Sequence, residues 1–61
     1  MFEKYYNQLM TMTKKEIAEQ GAVWGVISGC QSNLDYMVKT YSKNLLARTI
    51  ADRMARFGSQ N

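Results

Sequence analysis

Histidine and proline are missing from this chain of 61 residues, and cysteine and tryptophan occur once each, as Cys30 and Trp24. Without histidine there is no imidazole to serve as a general base or as a nitrogen ligand for a transition metal. Cys30 has no second thiol for an intrachain disulfide and no histidine to activate it, so it reads as a small apolar residue. The five carboxylates, Glu3, Glu16, Glu19, Asp35 and Asp52, are scattered, with no pair spaced as an acid–base couple and no metal cluster. No glycine loop precedes a Lys-Ser or Lys-Thr pair, so a phosphate cradle is not encoded. These absences predict a protein that is not an enzyme and that takes no cofactor and no metal.

Long hydrophobic runs are absent too. The longest uncharged apolar stretch, Gly21 to Cys30, is ten residues, whereas a spanning helix needs about 20. No transmembrane segment is expected. No targeting segment is evident, since Glu3 and Lys4 interrupt the N-terminus. Together with the free cysteine, this predicts a reducing, cytoplasmic setting.

A chain this short makes one small domain at most and buries only roughly 60% of the surface its unfolded form exposes. Lacking disulfide and metal, it is expected to be completed by oligomerisation or by docking on a larger protein. The net charge of +3 is uneven. Residues 1–31 balance Lys4, Lys14 and Lys15 against Glu3, Glu16 and Glu19. Residues 32–61 carry Lys39, Lys43, Arg48, Arg53 and Arg56 against Asp35 and Asp52, and hold the whole excess. This is a mild basic bias, short of a nucleic-acid arm.

Helical periodicity runs along the whole chain and predicts an all-α fold, either a helical hairpin or a small bundle of three to four helices, with helices covering about 2–12, 14–29, 33–42 and 44–57. Phe2, Tyr5, Tyr6, Leu9 and Met10 share one face. Thr13 followed by Glu16 reads as a capping box that opens a second helix, although a continuous helix over 2–30 also keeps one apolar stripe. Ser32 or Asn33 is expected to cap a third helix, with Asp35 in its first turn. Leu34, Met37, Val38, Tyr41 and Leu45 form its stripe. The stripe then changes face to Leu46, Ile50, Met54 and Phe57, which means either a break with a new cap at Ser42 or Asn44, or one long helix with two buried faces. Gly58 ends the pattern, and residues 59–61 are expected to fray.

Three of the four glycines stand at Gly21, Gly25 and Gly29. In mid-helix each costs roughly 1 kcal/mol relative to alanine, about 3 kcal/mol together. Gly29 is explained as a C-cap before the Gln31-Ser32-Asn33 turn. Gly21 and Gly25, beside Trp24 and Ser28, are read as a bare strip on which another helix packs, an oligomer or helix-packing interface. Tyr5 and Tyr36 fall at the edges of the stripes and Arg53 at the apolar edge of the last one, which makes them candidates for partner contact. Arg48, Asp52 and Arg56, four apart, read as a solvated ion-pair ladder.

Two likenesses bear on alternatives. Thr13-Lys-Lys-Glu-Ile-Ala-Glu-Gln-Gly-Ala-Val is similar to the first helix and turn of a helix-turn-helix, with Ala18 at the crossing and Gly21 or Ala22 in the turn. The residues that follow, Trp24-Gly-Val-Ile-Ser-Gly, offer almost no base-reaching side chain, so nucleic-acid binding is the second choice. The length, the turn near 29–33 and the ending Ala55-Arg56-Phe57-Gly58 resemble the plasmid RNA-binding repressor-of-primer family, which implies a helical hairpin that dimerises. The basic polar face of that family's first helix has no counterpart here. The leading expectation is a small protein-binding regulator, inhibitor or adaptor. Nucleic-acid binding, through the helix-turn-helix-like run or the basic C-terminal half, and amphipathic coating of an apolar surface are the alternatives.

Overall fold

The Thr-x-x-Glu signature forms both of the hydrogen bonds it encodes. The Thr13 hydroxyl accepts from the Glu16 amide at 3.2 Å, and the Glu16 carboxylate accepts from the Thr13 amide at 2.9 Å. In the computed structural model, whose described residues are 1–58, this cap separates the first two of four helices. They are α1 (Phe2–Met10), α2 (Lys14–Val23), α3 (Gln31–Thr40) and α4 (Lys43–Gly58), and no strand occurs among the described residues. The fold is therefore a small four-helix bundle and not a helical hairpin. The expected fraying of 59–61 lies outside the described residues.

Neither long continuous helix forms. Thr11 closes α1, its hydroxyl donating to the Gln8 carbonyl at 2.6 Å. Tyr41 ends α3 by turning extended at φ −109°, ψ 151°. Ser42 then opens α4, its hydroxyl accepting from the Leu45 amide at 3.2 Å.

The boundaries expected for α2 and α3 need correction. α2 stops at Val23, six residues short of Gly29, because Gly25 adopts φ +74°. The Val26 amide donates to the Gly21 carbonyl at 2.8 Å and the Gly25 amide to the Ala22 carbonyl at 3.1 Å. That pair of bonds is a Schellman closure with glycine in the left-handed position. Gly25, not Gly29, is thus the C-terminal signal. α3 starts at Gln31, earlier than expected, and neither Ser32 nor Asn33 caps it. Cys30 is its N-cap residue, and the Asn33 side chain reaches back to donate to the Ser28 carbonyl at 3.0 Å. Asp35 lies beyond the first turn and accepts from the Gln31 side chain at 3.0 Å.

α4 is the central element. Both α1 and α2 pack on it, while α3 rests mainly on α2. The core lies where α1, α2 and α4 meet: Leu9 from α1, Ile17 from α2, and Leu46, Ala47, Ile50, Ala51 and Met54 from α4. Leu9, Ile17, Ala47 and Ala51 are wholly buried within the single chain. Ala47 and Ala51, one turn apart, give α4 a narrow face against which a neighbouring helix sits close. The radius of gyration, 10.7 Å, is that of a compact domain of this length. Phe57, placed in the last stripe by periodicity, is instead 49% exposed, because the buried face of α4 is centred nearer Ala47 and Ala51. Leu45, the last member of the α3 stripe, is 46% exposed. The break at Tyr41–Ser42 puts it on a new helix, whose outer face it occupies.

Candidate functional site

Gly21 and Gly25 have different roles. Gly21 is buried in α2, where a Cβ would stand 2.9 Å from Ile50 Cδ1, 3.2 Å from Ile50 Cγ1 and 3.3 Å from Ile27 Cδ1. The close approach at this glycine is made by α4 of the same chain. Gly25 is exposed, and a Cβ there would meet nothing within 4 Å. It is a turn residue and takes no part in helix packing within the chain. Ser28 also lies outside any helix, in the connection between α2 and α3. Its hydroxyl accepts from the Cys30 amide at 3.3 Å, which makes it a loop brace, not a helix-packing residue. Trp24 is half-buried, packs on the core from the end of α2 and approaches Gly58 of α4.

The partner-contact candidates also separate. Tyr5 is half-buried against the core, with its hydroxyl beside Gly58, so it does not stand out as an exposed ring. Tyr36 is 57% exposed and meets Tyr41 edge-on, with ring centroids 6.5 Å apart. Arg53 donates to the Gly25 carbonyl at 3.3 Å and lies 4.8 Å from the Phe57 ring centroid. It thereby ties α4 to the turn that ends α2, and the ring contact adds about 0.5–1 kcal/mol. The ladder has one rung, Arg56 to Asp52 at 3.1 Å, both side chains mostly exposed. Such a pair stabilises by only a few tenths of a kcal/mol.

The helix-turn-helix likeness is not realised. α2 is followed by an irregular connection over residues 24–30, and α3 begins only at Gln31. The motif needs a turn of about three or four residues to set its second helix, and here Gly21 and Ala22 are still inside α2.

That long connection creates a feature that periodicity did not single out. α3 rests on α2 and scarcely touches α4. Between them lies an open groove of about 300 Å³, walled by Met37 and Tyr41 on one side and by Leu45, Leu46 and Thr49 on the other. Val26 and Ile27 of the connection complete its lining. A second hollow of about 290 Å³ continues along α4 past Val26 and Thr49 to Arg53, Arg56 and Phe57. Leu45 marks the groove in the sequence only weakly, as the last residue of one stripe before the change of face. Val26 and Ile27 carried no such signal, since they read as part of a helix.

Cys30 is exposed at the start of α3. The Ser32 hydroxyl, 3.2 Å from its sulfur, and the backbone amides of Ser32 and Asn33 hold its thiol below the ordinary cysteine value. No basic side chain is among those causes, so the thiolate gains hydrogen bonds without a proton acceptor beside it. Among the described residues no group of three or more Cys, Asp or Glu side chains is gathered to hold a metal ion. No helix among them is long and apolar enough to cross a membrane. Comparison with protein-family models, curated proteins and solved structures finds no match for this chain.

Proposed function

We propose that the chain is a small non-enzymatic binding module that acts by engaging the surface of a larger protein, as a regulator, inhibitor or adaptor. One observation supports this reading above the others. The core closes within one chain, yet apolar side chains still line an open groove between α3 and α4. Leu45 stands exposed beside the half-buried Met37 and Tyr41, apolar surface that the closed core does not use, and protein interfaces are enriched in Met and aromatic residues. The glycine strip no longer argues for a second copy, because Gly21 is filled by Ile50 and Gly25 serves a turn. A reducing cytoplasmic setting accords with the free thiol of Cys30.

The test is affinity capture from native cells with the wild-type chain and with Leu45→Glu as baits, together with the mass of each in solution by light scattering. A partner held by the wild type and lost by Leu45→Glu is the expected result. Partners retained equally by both baits would sink the reading. So would steeply salt-dependent binding of DNA or RNA that Leu45→Glu leaves intact.

A further inference from the structure

The two hollows on α4 differ in chemistry along one line. The first, between α3 and α4, is lined by Met37, Tyr41, Leu45 and Leu46 and contains no charged side chain. The second contains Arg53 and Arg56 against Asp52 alone. A third shallow depression on the outer side of α4 adds Arg48 beside the same Asp52. None of the other carboxylates, Glu3, Glu16 and Glu19 on α1 and α2 and Asp35 on α3, lines these hollows. The groove therefore pairs an apolar trough with a basic end, in the half of the chain that carries the entire net positive charge.

From this arrangement we infer that the groove takes an acidic amphipathic helix of a partner protein, with apolar anchors beside Leu45 and carboxylates at Arg53 and Arg56. The inference rests on the binding-module reading and adds the chemistry of the occupant. A cleft between two helices is suited to a third helix laid by its apolar face. Leu45 and Arg53 are eight residues apart on α4, a rise of about 12 Å at 1.5 Å per residue. A docked helix matches that span when its acidic residues follow its apolar anchors by seven or eight positions, two turns on. The arginines supply the complement that steers such a helix and sets its direction. Arg56 exchanges an exposed, weak pair with Asp52 for a partner carboxylate at little cost. Double-stranded nucleic acid fits the basic end but leaves the apolar trough uncovered, so the groove as a whole favours the peptide.

The experiment uses fluorescence anisotropy on the full chain with two synthetic helical peptides of about 16 residues, roughly the length of α4. Both carry Leu anchors at i, i+3 and i+4. One carries Glu at i+7 and i+8, and the other carries Lys there. The Glu peptide is expected to bind saturably and the Lys peptide at least tenfold more weakly. Leu45→Glu is expected to weaken the Glu peptide at least tenfold, and Arg56→Gln about threefold with a flatter salt dependence. Both sites are exposed, and an unchanged far-UV circular dichroism spectrum checks the fold of each variant. Equal affinity for the two peptides, absence of saturable binding, or displacement by a DNA duplex at lower concentration than by unlabelled Glu peptide would overturn the assignment. A free protein that is already a dimer through Leu45 also overturns it, since a second copy then fills the groove. If neither peptide binds but the captured partner still depends on Leu45, the occupant is wrong and the binding-module reading survives.

Discussion

Replacing Gly21 by alanine sets two effects of similar size against each other, and the structure says which wins. Alanine in a helix interior is favoured over glycine by about 1 kcal/mol. Its Cβ, however, would stand 2.9 Å from Ile50 Cδ1, with Ile50 Cγ1 at 3.2 Å and Ile27 Cδ1 at 3.3 Å. Carbon atoms pack best near 3.5–4.0 Å, so Ile50 would have to retreat by roughly 0.6 Å or more. That retreat is made against packed neighbours, since Ile50 is 1% exposed and belongs to the core cluster. Overpacking of this kind costs about 1–3 kcal/mol. The expected net effect of Gly21→Ala is a loss of about 1 kcal/mol. The sharper test is a double-mutant cycle with Ile50→Val, which deletes the Cδ1 atom in the way. Ile50→Val alone is expected to cost about 0.5–1.5 kcal/mol. In that background Gly21→Ala should become neutral or stabilising, a coupling of at least about 1 kcal/mol. Urea unfolding followed by Trp24 fluorescence and far-UV circular dichroism measures all four corners. Additivity within about 0.3 kcal/mol would refute the contact between α2 and α4 at this glycine.

Gly25→Ala is expected to destabilise by about 1 kcal/mol even though its Cβ meets empty space, because φ +74° is strained for a side-chain-bearing residue. Gly25→Asn should cost less than Gly25→Ala in the same unfolding assay, and an alanine variant as stable as wild type would remove the cap. Ser32→Ala should shift the pH dependence of Cys30 alkylation by iodoacetamide upward, since the hydroxyl that lowers the thiol value is gone. At neutral pH the variant then holds less thiolate and reacts more slowly. Superimposable pH–rate profiles would show that Ser32 does not act on the sulfur.

Much of the architecture was legible from local rules. The capping box at Thr13 and the break near Ser42 follow from side chains that satisfy orphan amides within three residues of themselves. The apolar spacing of Leu9, Ile17, Leu46, Ile50 and Met54 is enough to place them inside an all-α fold. Periodicity misplaces the boundaries around Gly21–Cys30 for a specific reason. A glycine in mid-helix and a glycine just past a helix end look alike when both fall on a spacing of four. The decision between them depends on φ, which sequence periodicity does not contain.

The sequence by itself determined that the chain is helical, where two of its corners fall, and that its excess positive charge belongs to the second half. Those properties depend on neighbours a few residues apart or on composition alone. Only the tertiary structure decided what the Gly21–Cys30 run does. It closes α2 at Gly25, brings Ile50 against Gly21, and adds Val26 and Ile27 to the lining of the groove between α3 and α4. The groove is made of residues from three separate segments, so no single helical stripe spells it out. Leu45 shows why. Periodicity groups it with the buried face of α3, but one extended residue at Tyr41 places it on the outer face of α4, where a partner can reach it.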